Sequence, residues 1–127
     1  MSNPEPPHPD IRVLLVDDQP QFRRAAALLI ATTDGLELAG EAESGEEAVL
    51  LARSLRPDLV LMDVRLPGIS GPQATRQILK EQPFARVILL STYEAADLPD
   101  IDQCGAESFR RKQDLDVSEL VSRPSAR

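Results

Sequence analysis

This 127-residue chain is poor in the residues that build most metal and nucleophile sites. It has one histidine, His8, and one cysteine, Cys104. One of each cannot complete a structural zinc site, and a single cysteine cannot form an internal disulfide. Cys104 is read as a small packed hydrophobe without a redox role. His8 sits in a Pro-rich leader at residues 1–9, which removes Ser-His-Asp and Cys-His machinery from consideration. Basic clusters are missing too. Lys and Arg total 14 against 21 Asp and Glu, a formal charge of −7. Such a balance disfavours both a nucleic-acid backbone and an anionic membrane surface. No apolar run approaches the ~18–20 residues of a membrane span, and the N-terminus has no signal-peptide core. The expectation is a soluble, cytoplasmic protein with no membrane insertion. Its chemistry must rest on carboxylates, hydroxyls, a lysine or a borrowed metal.

The leader holds four of the eleven prolines. It is too polar to offset its chain entropy by burial, so residues 1–9 are expected to be disordered. One domain is expected over residues 10–122, followed by a tail at 123–127. Within it, Ile11–Val16, Leu59–Met62 and Val87–Leu90 are short apolar runs suited to strands buried on both faces. Leu36–Glu41 is a weaker strand, with Leu36, Leu38 and Gly40 on one side. Helix-period segments lie between: Gln21–Ala31, Glu46–Leu55 capped by Ser44 or Gly45, and Pro72–Lys80 after Gly71. A fourth helical segment contains Pro99. A strand near Phe109 and a short final helix from Leu115 to Ser122 follow. This alternation is (βα)5, and right-handed crossovers then require a parallel sheet with helices on both faces. Ligands of such α/β sheets bind beyond the carboxyl ends of the strands.

Those ends carry Asp17 and Asp18, then Asp63, then Ser91 and Thr92, then Lys112. Two carboxylates ~4 Å apart repel by about 4 kcal/mol at an effective dielectric of ~20. Three of them call for protonation or a shared cation, and an oxygen-only set suits Mg²⁺. A hydroxyl, a lysine and Mg²⁺ around one carboxylate make a cradle for a phosphoryl group. The central carboxylate would be the nucleophile, forming an acyl phosphate. Each residue alone has an ordinary reading. Asp17 and Asp18 could cap a helix, Asp63 could end a strand, Ser91 could satisfy a backbone group and Lys112 could be surface charge. Four such coincidences at one sheet edge favour a site.

The stretches Val13–Asp18, Pro57–Gly68, Val87–Ser91 and Gly105–Lys112 resemble the receiver domain of two-component response regulators (CheY-like). The wording of the first and third strands is most similar to receivers of helix-turn-helix, LuxR-type regulators. The resemblance implies a doubly wound, flavodoxin-like sandwich with strand order 2-1-3-4-5. It implies that Asp63 accepts a phosphoryl group from a sensor histidine kinase or histidine phosphotransfer protein. Asp18, Asp63 and the Arg65 backbone carbonyl would bind Mg²⁺ directly, and Asp17 through water. Ser91 and Lys112 would contact phosphoryl oxygens, and Ser91 with Phe109 would form the switch. The implied output is an altered protein-interaction surface for an unidentified target, with homodimerisation allowed. The chain would then be a phosphoacceptor that catalyses only its own phosphotransfer and dephosphorylation, not a metabolic enzyme.

Arg110 and Arg111 fall where receivers carry apolar residues, so at least one is expected to snorkel or face solvent. No helix-turn-helix follows Lys112, and direct nucleic-acid binding is not expected. Two alternatives remain: a receiver-like module that signals by binding alone, and a Mg²⁺-dependent phosphohydrolase. Arg65 opposes the hydrolase, because such enzymes place a second aspartate there.

Overall fold

The computed structural model describes residues 10–92 and 103–121. The leader at 1–9, the expected Pro99 helix and the tail at 123–127 lie outside the described residues. A five-stranded parallel sheet has the order β2-β1-β3-β4-β5. Its strands are β1 (Ile11–Val16), β2 (Leu36–Ala42), β3 (Leu59–Asp63), β4 (Arg86–Ser91) and β5 (Ser108–Arg111). The helices are α1 (Pro20–Ala31), α2 (Gly45–Leu55) and α3 (Gly71–Glu81). Every residue of β3 is buried, as its unbroken apolar run requires of a strand covered on both sides.

The period of two along each strand separates two cores. Val13, Leu15, Leu59, Leu61, Ile88 and Leu90 pack with Ala26 and Ile30 of α1. Leu14, Val16, Val60, Met62, Val87 and Leu89 pack with Ala48 and Ala52 of α2 and with Ala74 and Ile78 of α3. Local chemistry sets the helix starts. Pro20 opens α1 in the first helical turn, where its missing N–H is no loss. The Ser44 hydroxyl accepts from Glu47 N at 3.1 Å and caps α2. At α3, Ser70 and Gln73 form a reciprocal capping box, so the helix begins at Gly71, one residue before the expected Pro72.

Two expectations are corrected. Gly40 does not share a face with Leu36 and Leu38. The register shifts between Val13 and Leu14, which pair with Leu38 and Gly40, so one extra residue of β2 is bulged. Leu36 and Leu38 therefore face the α1 side, while Ala42 joins the α2–α3 core. Gly40 makes room for Leu55 of α2, whose Cδ1 would stand 2.6 Å from a Cβ at that position. The final segment is also not an α-helix. It forms two 3₁₀ turns, Lys112–Asp114 and Val117–Val121, with Val117 and Leu120 buried. Arg110 and Arg111 meet the expectation: both side chains are 40% exposed, and they pair with Glu119 at 2.9 Å and Asp114 at 3.0 Å. The 3₁₀ turns thus supply the acids that let β5 carry two arginines.

Gly71 is the glycine packed most tightly against backbone near the sheet's carboxyl edge. A Cβ there would lie 2.3 Å from the Asp63 carbonyl oxygen and 2.9 Å from Val64 Cα, both backbone atoms. Gly71→Ala is expected to cost about 1–3 kcal/mol by overpacking. Gly40→Ala meets only a leucine methyl that can rotate and should cost less. Urea unfolding of both variants checks the order, and equal or reversed losses would contradict the packing described here.

Candidate functional site

The sheet register assembles the site. Val16 lies beside Met62, so one residue further Asp17 comes level with Asp63. Asp63 lies beside Leu90, Ser91 beside Arg111, and Lys112 follows at once. Four strand ends thus deliver their side chains to one edge. Asp17 continues the row of Val13 and Leu15, and Asp63 that of Leu59 and Leu61. Both acids therefore emerge on the face that α1 covers.

Asp17 is fully buried, Ser91 is 1% exposed and Asp63 6%, while Asp18 is exposed. One carboxylate oxygen from each aspartate lies within 4.8 Å of the others. Lys112 Nζ stands 2.7 Å from Asp17 Oδ2 and donates to Asp63 Oδ2 at 3.3 Å. It also donates to Gln19 Oε1 at 2.9 Å and lies 4.6 Å from the centroid of the Phe22 ring. The Asp17–Lys112 contact is short but not aligned as a hydrogen bond. Asp17 Oδ2 thus has a charge partner and an unfilled acceptor position. Arg65 N donates to Asp63 Oδ1 at 3.2 Å, folding the loop after β3 back over the acid. A cavity of about 210 Å³ opens here, lined by Asp18, Gln19, Asp63, Arg65, Ser91, Thr92 and Lys112. A larger hollow of about 330 Å³, beside Arg56, Pro57 and Phe84, lies at the opposite end of the sheet and holds none of these groups.

All the residues singled out from the sequence except Phe109 meet at this edge. Phe109 pairs with Leu89 in the sheet and packs against the α2–α3 core, without lining the cavity. Ser91, two residues beyond Leu89, faces the same side of the sheet as Phe109. Gln19 and Phe22 escaped the sequence reading. Gln19 is next to Asp18, but its contact with Lys112 spans 93 residues and exists only after closure of the sheet.

A family profile described as "Response regulator receiver domain" matches residues 13–123. The chain belongs to the response-regulator receiver family. This receiver is 43% identical over 103 residues to the response regulator GacA of Pseudomonas viridiflava, covering 80% of this chain and 48% of that protein. The chain thus spans about half the length of such curated relatives. A LuxR-family response regulator from Aurantimonas sp. SI85-9A1 superposes with a TM-score of 0.78 at 34% identity, over 89% of this chain and 81% of that one. CheY in a CheX-CheY-BeF3-Mg complex from Borrelia burgdorferi gives 0.73 at 29% identity, over 87% and 84%. The CheY-like fold and the LuxR-type likeness read from the sequence are both borne out. Among the described residues no helix is long and apolar enough to cross a membrane.

Electrostatics of the receiver's site centre on Asp63. Burial pushes its carboxyl up to about 6; Lys112 opposes the rise, Asp17 adds to it, and the Arg65 N–H opposes it. The donor set fits Mg²⁺ on two counts. All donors are oxygens, and a buried Asp17 oxygen lacks a hydrogen bond. One ammonium cannot neutralise three carboxylates, so net negative charge is left for a cation.

Two outcomes follow. Mg²⁺ bound only to the folded receiver should raise Tm by mass action. Asp18→Asn should raise Tm without Mg²⁺ and blunt the Mg²⁺ response; no response in either protein would refute the cation site. The pH dependence has a definite sign. A carboxyl whose folded value exceeds its unfolded ~4 contributes most at low pH and loses that contribution as pH rises towards and through about 6. In chelator, the Tm advantage of Asp63→Asn over wild type should grow between pH 4.5 and 7.5. Thermal melts across that range check it, and a constant difference would contradict the shift.

Proposed function

We propose that this receiver accepts a phosphoryl group on Asp63 from the phosphohistidine of a partner kinase or histidine phosphotransfer protein. The observation that carries the reading is the position of Asp63. It is the buried acid that both faces the cavity and accepts from Lys112, with Ser91 in the same wall. At neutral pH, above its value of about 6, Asp63 is mostly ionised and can attack. Its carboxylate oxygen forms the new O–P bond as the partner's N–P bond breaks, and the imidazole leaves with the electron pair. Mg²⁺, held by Asp18, Asp63 and the Arg65 carbonyl with Asp17 through water, would supply charge to the transferring oxygens.

The chain's own groups do the rest. Lys112 can turn from Asp63 to a phosphoryl oxygen while keeping its contacts with Asp17 and Gln19. Ser91 can donate its hydroxyl to another oxygen. Movement of Ser91 towards the phosphoryl group would free space beside Phe109, which shares its face, and alter the surface around β5. We assign the output to a protein target recognised by that surface, with no direct nucleic-acid contact by this chain and with homodimerisation as one form it could take. Arg65 in the cavity wall, where a hydrolase needs a second carboxylate, argues against turnover of phosphoesters.

Incubation with a small phosphodonor and Mg²⁺ should add the mass of one phosphoryl group to the intact protein. Asp63→Asn should abolish the adduct. An adduct that persists in Asp63→Asn would place the acceptor elsewhere. Absence of any adduct would favour signalling by binding alone, and steady release of phosphate from many phosphoesters would favour a hydrolase.

A further inference from the structure

Arg23 lies one turn into α1 and does not line the cavity, yet its side chain is only 15% exposed. Its guanidinium joins three segments. Nη1 donates to the Asp17 backbone carbonyl at 2.8 Å. Nε pairs with Glu41 of β2 at 3.1 Å, and Nη2 pairs with Glu43, just past β2, at 3.5 Å. The Asp17 carbonyl belongs to the planar peptide unit that joins Asp17 to Asp18. On its other side Asp17 is pinned by its own N–H, which donates to the Ala42 carbonyl at 3.0 Å. These two hydrogen bonds set the direction in which the chain leaves β1, and so where Asp18 stands.

Other contacts hold this loop as well: Lys112 reaches the Asp17 and Gln19 side chains at 2.7 and 2.9 Å. Gln19 N donates to Asp17 Oδ1, and Arg23 N to the Gln19 carbonyl. Both bonds are local and travel with the loop. The N-cap residue of α1, Gln19, makes no side-chain capping bond to the helix, its Oε1 accepting from Lys112 instead. The fork of Arg23 adds a side-chain tie between the acidic loop and the end of β2, beside the Asp17–Ala42 bond. A guanidinium suits the task because its fixed, planar donors can serve a carbonyl and two carboxylates together.

We propose that Arg23 is a positioning residue for the cation edge of the site. By gripping the Asp17 carbonyl, with Glu41 and Glu43 holding the guanidinium in place, it keeps Asp17 and Asp18 converged with Asp63. The inference rests on the phosphoacceptor reading and deepens it. Charge makes its sign diagnostic. The positive charge of Arg23 by itself repels a cation, so on Coulomb's law alone its removal would tighten Mg²⁺ binding. A positioning role requires the opposite.

The test is calorimetric titration of Mg²⁺ into the full chain, wild type beside Arg23→Ala and Arg23→Lys. Outer partners of metal ligands are commonly worth 10–100-fold in affinity, so Arg23→Ala should weaken binding by about tenfold or more. Arg23→Lys keeps the charge but loses the fork and should fall between the two. It also serves if Arg23→Ala fails to fold. Phosphorylation by a small phosphodonor gives a second readout. Half-saturating Mg²⁺ should rise in both variants, while the rate at saturating Mg²⁺ stays unchanged. Unchanged or tighter Mg²⁺ binding in the folded variants overturns the inference and leaves the phosphoacceptor reading standing. So does a lower rate plateau with unchanged Mg²⁺ dependence. A wild-type chain that binds no Mg²⁺ overturns both.

Discussion

The carboxyl edge of this sheet is organised around one ammonium shared by two buried carboxylates. Lys112 reaches Asp17 at 2.7 Å and Asp63 at 3.3 Å, with only 8% of its side chain exposed. Removing three charges from water is costly unless they are paired, and here the pairing is incomplete. Two acids and one base leave a buried oxygen without a hydrogen bond, and exposed Asp18 adds further negative charge at the rim. Burial raises the Asp63 carboxyl to about 6, and the incomplete pairing leaves the site ready for a divalent cation. A fully neutralised edge would be more stable and would have little reason to take up one.

The rest of the fold holds that edge in place. Register brings Asp17 level with Asp63 and puts Lys112 just beyond the Ser91–Arg111 pair. Glycine lets the loops close around it. Gly71 allows the start of α3 to touch the Asp63 carbonyl. Gly68, at a φ of +77°, sits against the Glu46 carboxylate, which in turn accepts from Ile69 N at 3.1 Å. Phe22 adds an aromatic face under the Lys112 ammonium at 4.6 Å, and Gln19 adds a carbonyl, so the lysine has a defined resting place. The edge is therefore polar and closely built above two apolar layers that set its position.

The acidity of the chain divides into two kinds. Most carboxylates lie on solvated surface or pair with a nearby arginine. Glu107 is one, its carboxyl held below the usual range by the Arg86 guanidinium that binds it through two nitrogens. Asp17, Asp18 and Asp63 form the other kind, converging within 4.8 Å of one another beside a cavity that Lys112 and Arg65 also line. The scarcity of histidine fits this division. On the proposed function, this chain would contribute the aspartate, and the nitrogen that carries the phosphoryl group would belong to the other protein.

Much of this was legible in the amino-acid order. Unbroken apolar runs at Leu59–Met62 and Val87–Leu90 marked strands buried on both faces. Their alternation with helical periods required parallel crossovers, and the residues closing each run were the ones a strand-end site needs. These signals are local, and each depends on a periodicity that the chain carries wherever it folds. Other features were not legible. The bulge in β2 turned Gly40 to the opposite face because an extra residue reverses a period of two. The final segment became 3₁₀ turns because it closes against α1 and supplies acids to Arg110 and Arg111. Phe22 and Arg23 fell in the first turn of the expected Gln21–Ala31 helix, and Gln19 lay just before it. Their roles depend on distance to Lys112, Asp17, Glu41 and Glu43, and sequence spacing does not encode distance between strands. By itself, the sequence determined which groups stand at the strand ends. Tertiary structure alone decided which of them share a charge, because electrostatic coupling falls with separation in space and not along the chain.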